Sequence, residues 1–395
     1  MMTKVDRWLL PEGIEEILPD RAITVEHLRR RLLDTYHRWG YDLVIPPLME
    51  FTDSLLSGSG RDLDQLTFKF TDQLSGKMLG VRADTTPQTA RMDAHSLRRK
   101  GPNRLCYATT VLYTRPRRPA ASRSPVQVGV ELYGVPGLEA DIEVISLLVE
   151  ALEEVGVAGQ CLDLGHVGIY RSIEEILELD ESRKGELFEL LQAKSCELAG
   201  WIERNIDDPA LASMIAQLPG LHGDVDVLDR AREIFADGPA ELELALDELQ
   251  QVVAKVKERF PALRLFLDLC QLESYHYHTG IVFAIYADGA RQALGNGGRY
   301  DDIGESFGRA RPATGCSVDL KAIAELVGDS AKPALGIYAP PSDDPAQDAQ
   351  VRSLRQSGER VVCGFSGETP DYSELGCDRI LVTDGEGFSV KSILN

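Results

Sequence analysis

Hydrophobic positions near the start of the chain recur first at helical spacing and then at strand spacing. In residues 25–39 the apolar side chains follow one another every three or four positions, on one face of a helix: Val25, Leu28, Leu32, Tyr36 and Trp39. Gly40 ends this helix. The strand predicted over residues 41–45 ends at Pro46–Pro47, because proline donates no hydrogen bond to a sheet.

Alternating and helical patterns continue through the first half of the chain. They predict strands over residues 104–112, 126–133 and 161–164, and helices over residues 88–99 and 140–155. Residues 66–71 and 77–82 alternate on either side of Ser75–Gly76, which predicts a hairpin. These elements indicate an α+β fold with a sheet that has helices on its faces.

The stretch from Leu267 to Asp301 joins an apolar run, a polar aromatic segment and two strands. The segment Tyr-His-Tyr-His-Thr-Gly occupies residues 275–280, and alternation from Ile281 leads to Asp288–Gly289, a dipeptide typical of a tight hairpin turn. The return strand ends at Gly297–Gly298, followed by Arg299, Tyr300 and Asp301. The pattern predicts a sheet floor with aromatic, imidazole and guanidinium groups, which favours a small polar ligand.

Two regions differ from this sheet-forming pattern. Between about residues 173 and 259 strand character disappears and helical runs replace it, which predicts a helical insertion within a domain spanning residues 1–330. Residues 331–395 read as strand, helix, strand and strand, and this predicts a small α/β C-terminal piece, thin for an independent domain.

Charge and composition exclude several classes of protein. The 395 residues carry 63 acidic and 42 basic side chains, for a net charge of −21, so nonspecific binding to nucleic acid is not expected. The chain shows neither a signal peptide nor a run long enough to cross a membrane, and we expect a cytoplasmic protein.

Cysteine usage and motif content predict no bound metal and no cofactor. The 7 cysteines are scattered, never form a C-x-x-C pair, and are predicted to be buried free thiols. The chain also lacks the glycine-rich nucleotide loops and the H-E-x-x-H zinc motif.

Three sites along the chain leave two interpretations open. Asp84, at a strand-to-helix junction, faces a ligand or caps the helix. Gln127 and Glu131 share one strand face, which suits an α-ammonium or imidazole N–H group, or else is a solvated outer face. The arginine-rich loop from Arg115 to Arg123 is a mobile solvated loop or a phosphate clamp.

Five segments, in order, resemble the catalytic domain of histidyl-tRNA synthetase, a class II aminoacyl-tRNA synthetase. They are the helix–strand–proline unit ending near Pro46, residues 81–86, residues 127–131, residues 277–280 and residues 297–301. The resemblance covers roughly residues 8–328. It implies an antiparallel sheet of six to seven strands flanked by helices, with residues 25–47 at a homodimer interface.

The chain departs from the synthetase pattern where that family grips ATP. Ala322 occupies the position of the arginine that lies over the adenine, and Glu273 the position of the arginine that assists adenylate formation. The arginine of the second motif is missing, with Arg115 at best offset from its place. Replacing these cations removes the charge stabilisation on which adenylyl transfer depends.

A synthetase fold without the arginines that bind ATP resembles the ATP phosphoribosyltransferase regulatory subunits of histidine biosynthesis. The resemblance implies a noncatalytic protein that assembles with the short-form catalytic subunit, is required for the first pathway step, and conveys feedback inhibition by histidine. The alternative is a divergent histidyl-tRNA synthetase.

The histidine pocket predicted on this basis combines carboxylates and amides with aromatic rings. Its residues are Asp84, Thr86, Gln127, Glu131, Tyr277, His278 and Tyr300. Arg299 binds the ligand carboxylate or only supports the fold.

Overall fold

The chain divides into two compact units, residues 1–331 and residues 332–395, and each is described by itself. The computed structural model describes residues 8–58, 61–118, 121–272, 275, 277–328, 334–385 and 387–393. No helix within these ranges is both long enough and apolar enough to span a membrane.

The first unit is built on one large sheet and one small sheet. Its strands are β1 (Asp42–Leu43), β2 (Met49–Phe51), β3 (Lys69–Thr71), β4 (Met78–Val81), β5 (Asn103–Thr110), β6 (Val126–Tyr133), β7 (Cys161–His166), β8 (His222–Gly223), β9 (Arg264–Asp268), β10 (Ile281–Tyr286), β11 (Gly295–Arg299) and β12 (Ala313–Asp319). The small sheet has the order β2-β4-β3 and contains the predicted hairpin of β3 and β4.

The large sheet has nine strands in the order β1-β5-β6-β12-β11-β10-β7-β9-β8. Its six central strands, from β5 to β7, pair antiparallel throughout, as the resemblance implied. The prediction of six to seven strands is too low, because β1 is added at one edge and β9 and β8 at the other. Strand β1 pairs parallel with β5, β9 pairs parallel with β7, and β8 pairs antiparallel with β9. Strand β1 lies within the strand predicted over residues 41–45, whereas the two-residue strand β8 carries too little alternation to be found from sequence.

Helices cover the sheet and form the insertion. They are α1 (Pro19–Arg38), α2 (Thr52–Leu55), α3 (Arg61–Leu66), α4 (Thr86–Arg91), α5 (Leu138–Glu154), α6 (Val167–Ile176), α7 (Glu181–Gln192), α8 (Leu198–Asn205), α9 (Pro209–Gln217), α10 (Val227–Ile234), α11 (Ala240–Arg259) and α12 (Leu320–Val327). A π-helical segment, Met92–Leu97, continues α4. Helices α1 and α5 pack together and against the central strands, with Leu28, Leu32 and Ile145 fully buried between them.

The predicted helical insertion corresponds to α7 through α11. Helix α7 begins at Asp180 and α9 at Asp208, whose carboxylates accept backbone N–H groups of the first turn. The expectation that strands are absent from this region is wrong in one place, because β8 pairs with β9 and extends the large sheet.

The connection between β10 and β11 is longer than the sequence predicted. Asp288–Gly289 does form a turn, in which the Ala290 N–H donates to the Ala287 carbonyl at 3.0 Å and Gly289 has a φ of 83°. This turn lies inside a connection of residues 287–294, so the tight two-residue hairpin is wrong. The strands still meet in antiparallel register, with Val282 opposite Gly298.

The second unit is a small α/β structure with its own core. It contains β13 (Gly336–Ala339), α13 (Pro345–Gln356), β14 (Val361–Cys363), β15 (Cys377–Asp384) and β16 (Gly387–Ser392), with sheet order β14-β13-β15-β16. Buried side chains that include Ile337, Val351 and Leu381 form the core. The sequence had predicted three strands, and β16 is the one it missed.

The cysteines are free thiols, but not all are buried. Cys106, Cys270, Cys316 and Cys377 are buried and Cys161 is half-buried, whereas Cys196 and Cys363 are exposed. The expectation of burial is therefore wrong for Cys196 and Cys363, which lie in a helix–helix connection and at the end of an edge strand.

Candidate ligand pocket

One end of the candidate pocket is a hydrogen-bonded network between the β4–α4 junction and β6. The Gln127 side chain donates to Asp84 Oδ1 at 2.8 Å and to Ser317 Oγ at 3.1 Å, and its carbonyl accepts the Thr85 N–H at 3.0 Å. Asp84 Oδ1 also accepts from the backbone N–H and the hydroxyl of Thr86, at 3.3 and 3.5 Å. Asp84 is therefore held mainly across the sheet by Gln127 rather than serving only as a helix cap.

Glu131 forms the deepest part of the pocket. Its side chain is only 1% exposed, so the interpretation of its strand face as a solvated outer face is wrong. Oε1 accepts the Tyr107 hydroxyl at 3.1 Å, while Oε2 is buried without a hydrogen-bond partner among the described residues. Burial raises the pKa of Glu131 well above the ordinary value, and the nearby Asp84 carboxylate adds to this effect.

Aromatic rings close the pocket from the opposite side. The rings of Tyr277 and Tyr300 lie 5.2 Å apart, and the His278 ring meets Tyr277 edge-on at 5.3 Å. The hydroxyl groups of Tyr277 and Tyr300 are buried and have no hydrogen-bond partner in the part of the chain that the structure describes. Burial raises the pKa of Tyr277 well above the usual range, so its hydroxyl keeps its proton.

Glycines let the side chains of this cluster pack closely against the sheet. Gly315 pairs with Glu131 across β6 and β12, and a Cβ atom there would overlap the Glu131 carboxylate and approach the Tyr300 hydroxyl to 2.5 Å. A Cβ on Gly129 would lie 2.6 Å from the Tyr107 hydroxyl. These glycines lie beside buried polar atoms that have no hydrogen-bond partner among the described residues, namely Glu131 Oε2 and the Tyr300 hydroxyl. Leaving such atoms unpaired is costly unless a ligand satisfies them.

The pocket brings most of the predicted residues together and adds some that the sequence did not single out. Asp84, Thr86, Gln127, Glu131, Tyr277, His278 and Tyr300 all contribute to the network or to the aromatic cluster. Tyr107, Ser317 and Gly315 were missed. Tyr107 could have been found only with the register of β5 on β6, in which it lies opposite Gly129.

Arg299 supports the fold and does not face the candidate pocket. Its guanidinium is 7% exposed and donates to Asp141 Oδ2 at 2.6 and 3.0 Å. It also donates to the carbonyls of Gly137 and Val135. With its donors used inside the protein, Arg299 joins β11 to the start of α5 rather than facing the pocket.

At residues 321 and 322, where the resemblance places the adenine-contacting arginine of a synthetase, one side chain is apolar and the other is hydrogen-bonded within the protein. Ala322 packs against the main core. The adjacent Lys321 is 5% exposed, and its ammonium donates to Glu15 at 3.0 Å and to Ser124 at 3.3 Å. Glu273, predicted to replace the arginine that assists adenylate formation, lies outside the described residues.

The arginine-rich loop is partly tied to the protein. Arg115 donates to Gln65 at 2.8 Å on the surface, and Arg123 donates to the carbonyls of Tyr113 and Glu12 at 2.9 and 3.0 Å. Among the residues that the structure describes, no group of three or more metal-ligating side chains comes together.

A mainly antiparallel sheet flanked by helices, with a polar and aromatic cluster on its central strands, fits the class II synthetases of the histidyl type. Residues 13–323 match the family model of histidyl-tRNA synthetase. The fold is similar to that of histidyl-tRNA synthetase from Nostoc, with a TM-score of 0.78 at 18% identity over 95% of this chain and 91% of that chain.

More specific similarity extends over the whole chain. Residues 333–391 match the family model for the C-terminal domain of ATP phosphoribosyltransferase subunit HisZ. A protein from Teredinibacter turnerae named ATP phosphoribosyltransferase regulatory subunit is 55% identical over 99% of this chain and 100% of its own length. A crystal structure described as an ATP phosphoribosyltransferase regulatory subunit/histidyl-tRNA synthetase from Bacillus halodurans has a TM-score of 0.83 and 26% identity, over 96% of this chain and 99% of that chain. The chain belongs to the family of ATP phosphoribosyltransferase regulatory subunits.

Proposed function

We propose that this chain is a noncatalytic cytoplasmic subunit that assembles with a short-form ATP phosphoribosyltransferase catalytic subunit and conveys feedback inhibition by histidine. The absence of its own catalysis is supported by Ala322, which is apolar, and by Lys321, whose ammonium is engaged with Glu15 and Ser124. Adenylate formation needs positive charge at the triphosphate.

The observation that carries histidine binding is the set of three buried polar atoms without partners. Glu131 Oε2 accepts a hydrogen bond, and the hydroxyls of Tyr277 and Tyr300 donate or accept one. An imidazole ring offers an N–H group and an acceptor nitrogen, and its flat face suits the neighbouring tyrosine rings. The α-ammonium suits the Asp84 and Gln127 end of the pocket.

Calorimetric titration with histidine tests the pocket, on the isolated protein and on its complex. Removing the carboxylate with Glu131→Ala leaves the bound imidazole unpaired, so we expect affinity to fall about tenfold or more. The matched control is Glu258→Ala, whose carboxylate pairs with Lys255 on the surface and is 68% exposed. Absence of binding in both samples, or equal affinity in Glu131→Ala and wild type, would contradict the assignment.

Assembly with the catalytic subunit is tested by mixing the two proteins at micromolar concentration. We expect co-elution in a large hetero-oligomer and a change in the rate of ATP condensation with phosphoribosyl pyrophosphate. Failure to co-elute would contradict this role. Histidine-dependent ATP–pyrophosphate exchange by the chain alone would instead support the divergent synthetase.

We propose a homodimer whose interface includes the strand end of the unit that spans residues 25–47. The apolar face of α1 is already buried within the chain at Leu28 and Leu32. Beyond it, large hydrophobic side chains are exposed on the following segment and on the small sheet: Leu43, Ile45, Leu48, Met49, Phe51, Phe70, Leu74 and Met78. An apolar patch of this kind is typical of a protein interface.

Sedimentation of two aspartate variants tests the homodimer. Ile45 is 82% exposed within the patch, and the matched control Leu244 is 59% exposed on α11. We expect Ile45→Asp to sediment as a monomer and Leu244→Asp to sediment as wild type. A dimer that persists in Ile45→Asp at micromolar concentration argues against this surface.

A further inference from the structure

The loop that brings Tyr277 into the pocket is held from outside the pocket by a single arginine of α6. Arg171 donates from Nη2 to the main-chain carbonyl of His278 at 3.0 Å. The same guanidinium lies over the ring of Tyr275, 5.5 Å from its centre. Arg171 therefore contacts the residues on both sides of the segment that contains Tyr277.

The loop is fixed to the sheet at its other end. The Thr279 N–H donates to the Arg299 carbonyl at 2.7 Å, and the Thr279 hydroxyl accepts the Asp301 N–H at 3.0 Å. The Val167 N–H, at the start of α6, donates to the Gly280 carbonyl at 3.1 Å. Thr279 and Gly280 are thus anchored to the sheet and to the start of α6, whereas the ring of Tyr275 and the carbonyl of His278 contact side chains of the neighbouring helices.

Those helices lead directly into the helical insertion. The ring of Tyr275 packs edge-on against Tyr170 at 5.1 Å, and it also contacts the tilted ring of Phe188 on α7 at 5.6 Å. Its hydroxyl donates to Glu174 at 3.0 Å. Burial, with the nearby Glu174 carboxylate, raises the pKa of Tyr275 to about 12, so this donor keeps its proton at neutral pH.

We propose that Arg171 is a positioning residue that couples the helical insertion to the ligand pocket, by holding the loop that carries Tyr277 in its binding conformation. The inference rests on the proposed histidine site, and it states that the position of α6 and α7 determines whether Tyr277 is placed to bind histidine. A movement of these helices changes the Arg171 and Tyr275 contacts and displaces Tyr277. By linkage, a ligand that needs Tyr277 in place stabilises one arrangement of the insertion.

The open cleft beside Arg171 gives these helices room to move. It has a volume of about 250 Å³ and lies between α6, α11 and the loop, with Arg171, Glu175, Glu241, Leu244 and Thr279 among its lining residues. On the far side of α7, the Trp201 indole donates to Glu186 at 2.8 Å. Trp201 fluorescence therefore reports on the helix that contacts Tyr275 through Phe188.

Two variants of Arg171 and one control separate positioning from general stability. Arg171→Gln removes the charge, and Arg171→Lys keeps it while losing the planar guanidinium. The control is Arg232→Gln, because Arg232 also belongs to the insertion but pairs with Glu243 and Asp247, away from the loop. All measurements use the full chain, with Trp8 and Trp39 replaced by phenylalanine for the fluorescence experiment.

Histidine affinity, hydrogen exchange and fluorescence give three expected results. Loss of a charged hydrogen bond predicts about tenfold weaker histidine binding for Arg171→Gln, an intermediate loss for Arg171→Lys and none for Arg232→Gln. We expect faster amide exchange at residues 277–279 in Arg171→Gln before any ligand is added. Histidine should change Trp201 fluorescence in wild type and not in Arg171→Gln.

The outcomes distinguish this inference from the proposed function. Wild-type histidine affinity in Arg171→Gln, or unchanged exchange at residues 277–279, overturns the positioning role while the pocket assignment stands. If wild type binds no histidine, the pocket assignment fails, and the exchange measurement still decides whether Arg171 holds the loop. Arg232→Gln also removes ion pairs of the insertion, so it shows how much histidine affinity and amide exchange change when only the stability of the insertion is altered.

Discussion

The buried ion pair between Arg299 and Asp141 provides the sharpest test of how the pocket is supported. Asp141 is fully buried in the first turn of α5, and Arg299 is the last residue of β11. Asp141→Ala removes the acceptor of two hydrogen bonds at 2.6 and 3.0 Å and leaves a buried guanidinium behind. Breaking one side of such a pair costs about 3–5 kcal/mol.

The remaining partners of Arg299 place this variant near the lower limit of that range. Asp301 lies 3.3 Å from Nη1 and keeps part of the charge compensated, and two backbone carbonyls remain as acceptors. We therefore expect the free energy of unfolding to fall by about 3 kcal/mol. In the double variant Asp141→Leu with Arg299→Met, apolar packing replaces the ions, and part of the loss should be recovered.

Urea unfolding followed by tryptophan fluorescence measures this effect on the first unit, because all 3 tryptophans lie before residue 331. Protein concentration is held constant, since association changes apparent stability. The control is Asp288→Ala, which removes an exposed pair with Arg264 and should change stability by less than about 0.5 kcal/mol. A loss below about 1 kcal/mol for Asp141→Ala, or a double variant less stable than it, would refute the reasoning.

Three further predictions concern the pocket and the thiols. Because the pKa of Glu131 is raised in the folded state, its ionisation lowers the stability of the ligand-free wild type as pH rises above about 4.5. In urea unfolding, the stability of Glu131→Gln relative to wild type should therefore be greater at pH 8 than at pH 5. An equal difference at the two pH values contradicts this. Gly315→Ala should abolish histidine binding in calorimetry, since its Cβ would overlap the Glu131 carboxylate; unchanged affinity would place the ligand elsewhere. A thiol reagent should modify Cys196 and Cys363 rapidly in the native protein, as read by mass spectrometry, and protection of either would contradict its exposure.

The candidate pocket shows how far residue type can be read without coordinates. The sequence showed an amide and a carboxylate four residues apart on one strand, and aromatic residues beside glycines. Gln127 and Glu131 do lie on β6, and Tyr277 and Tyr300 do form an aromatic cluster. The role of Arg299 was not visible, because its partner Asp141 is 158 positions away in the chain. Nothing local distinguishes a guanidinium that binds a ligand from one that binds a helix.

By itself, the sequence determined the elements whose signal is local. Strand β6 begins and ends where alternation predicted, and α5 lies within two residues of its periodic run over residues 140–155. Helical and strand spacing depend only on neighbours along the chain. Only the tertiary structure decided which distant groups meet: Gly315 beside Glu131, Arg171 on the loop of Tyr277, and the short edge strands that complete the sheet. These contacts depend on how the strands and helices pack, and packing is a property of the whole chain.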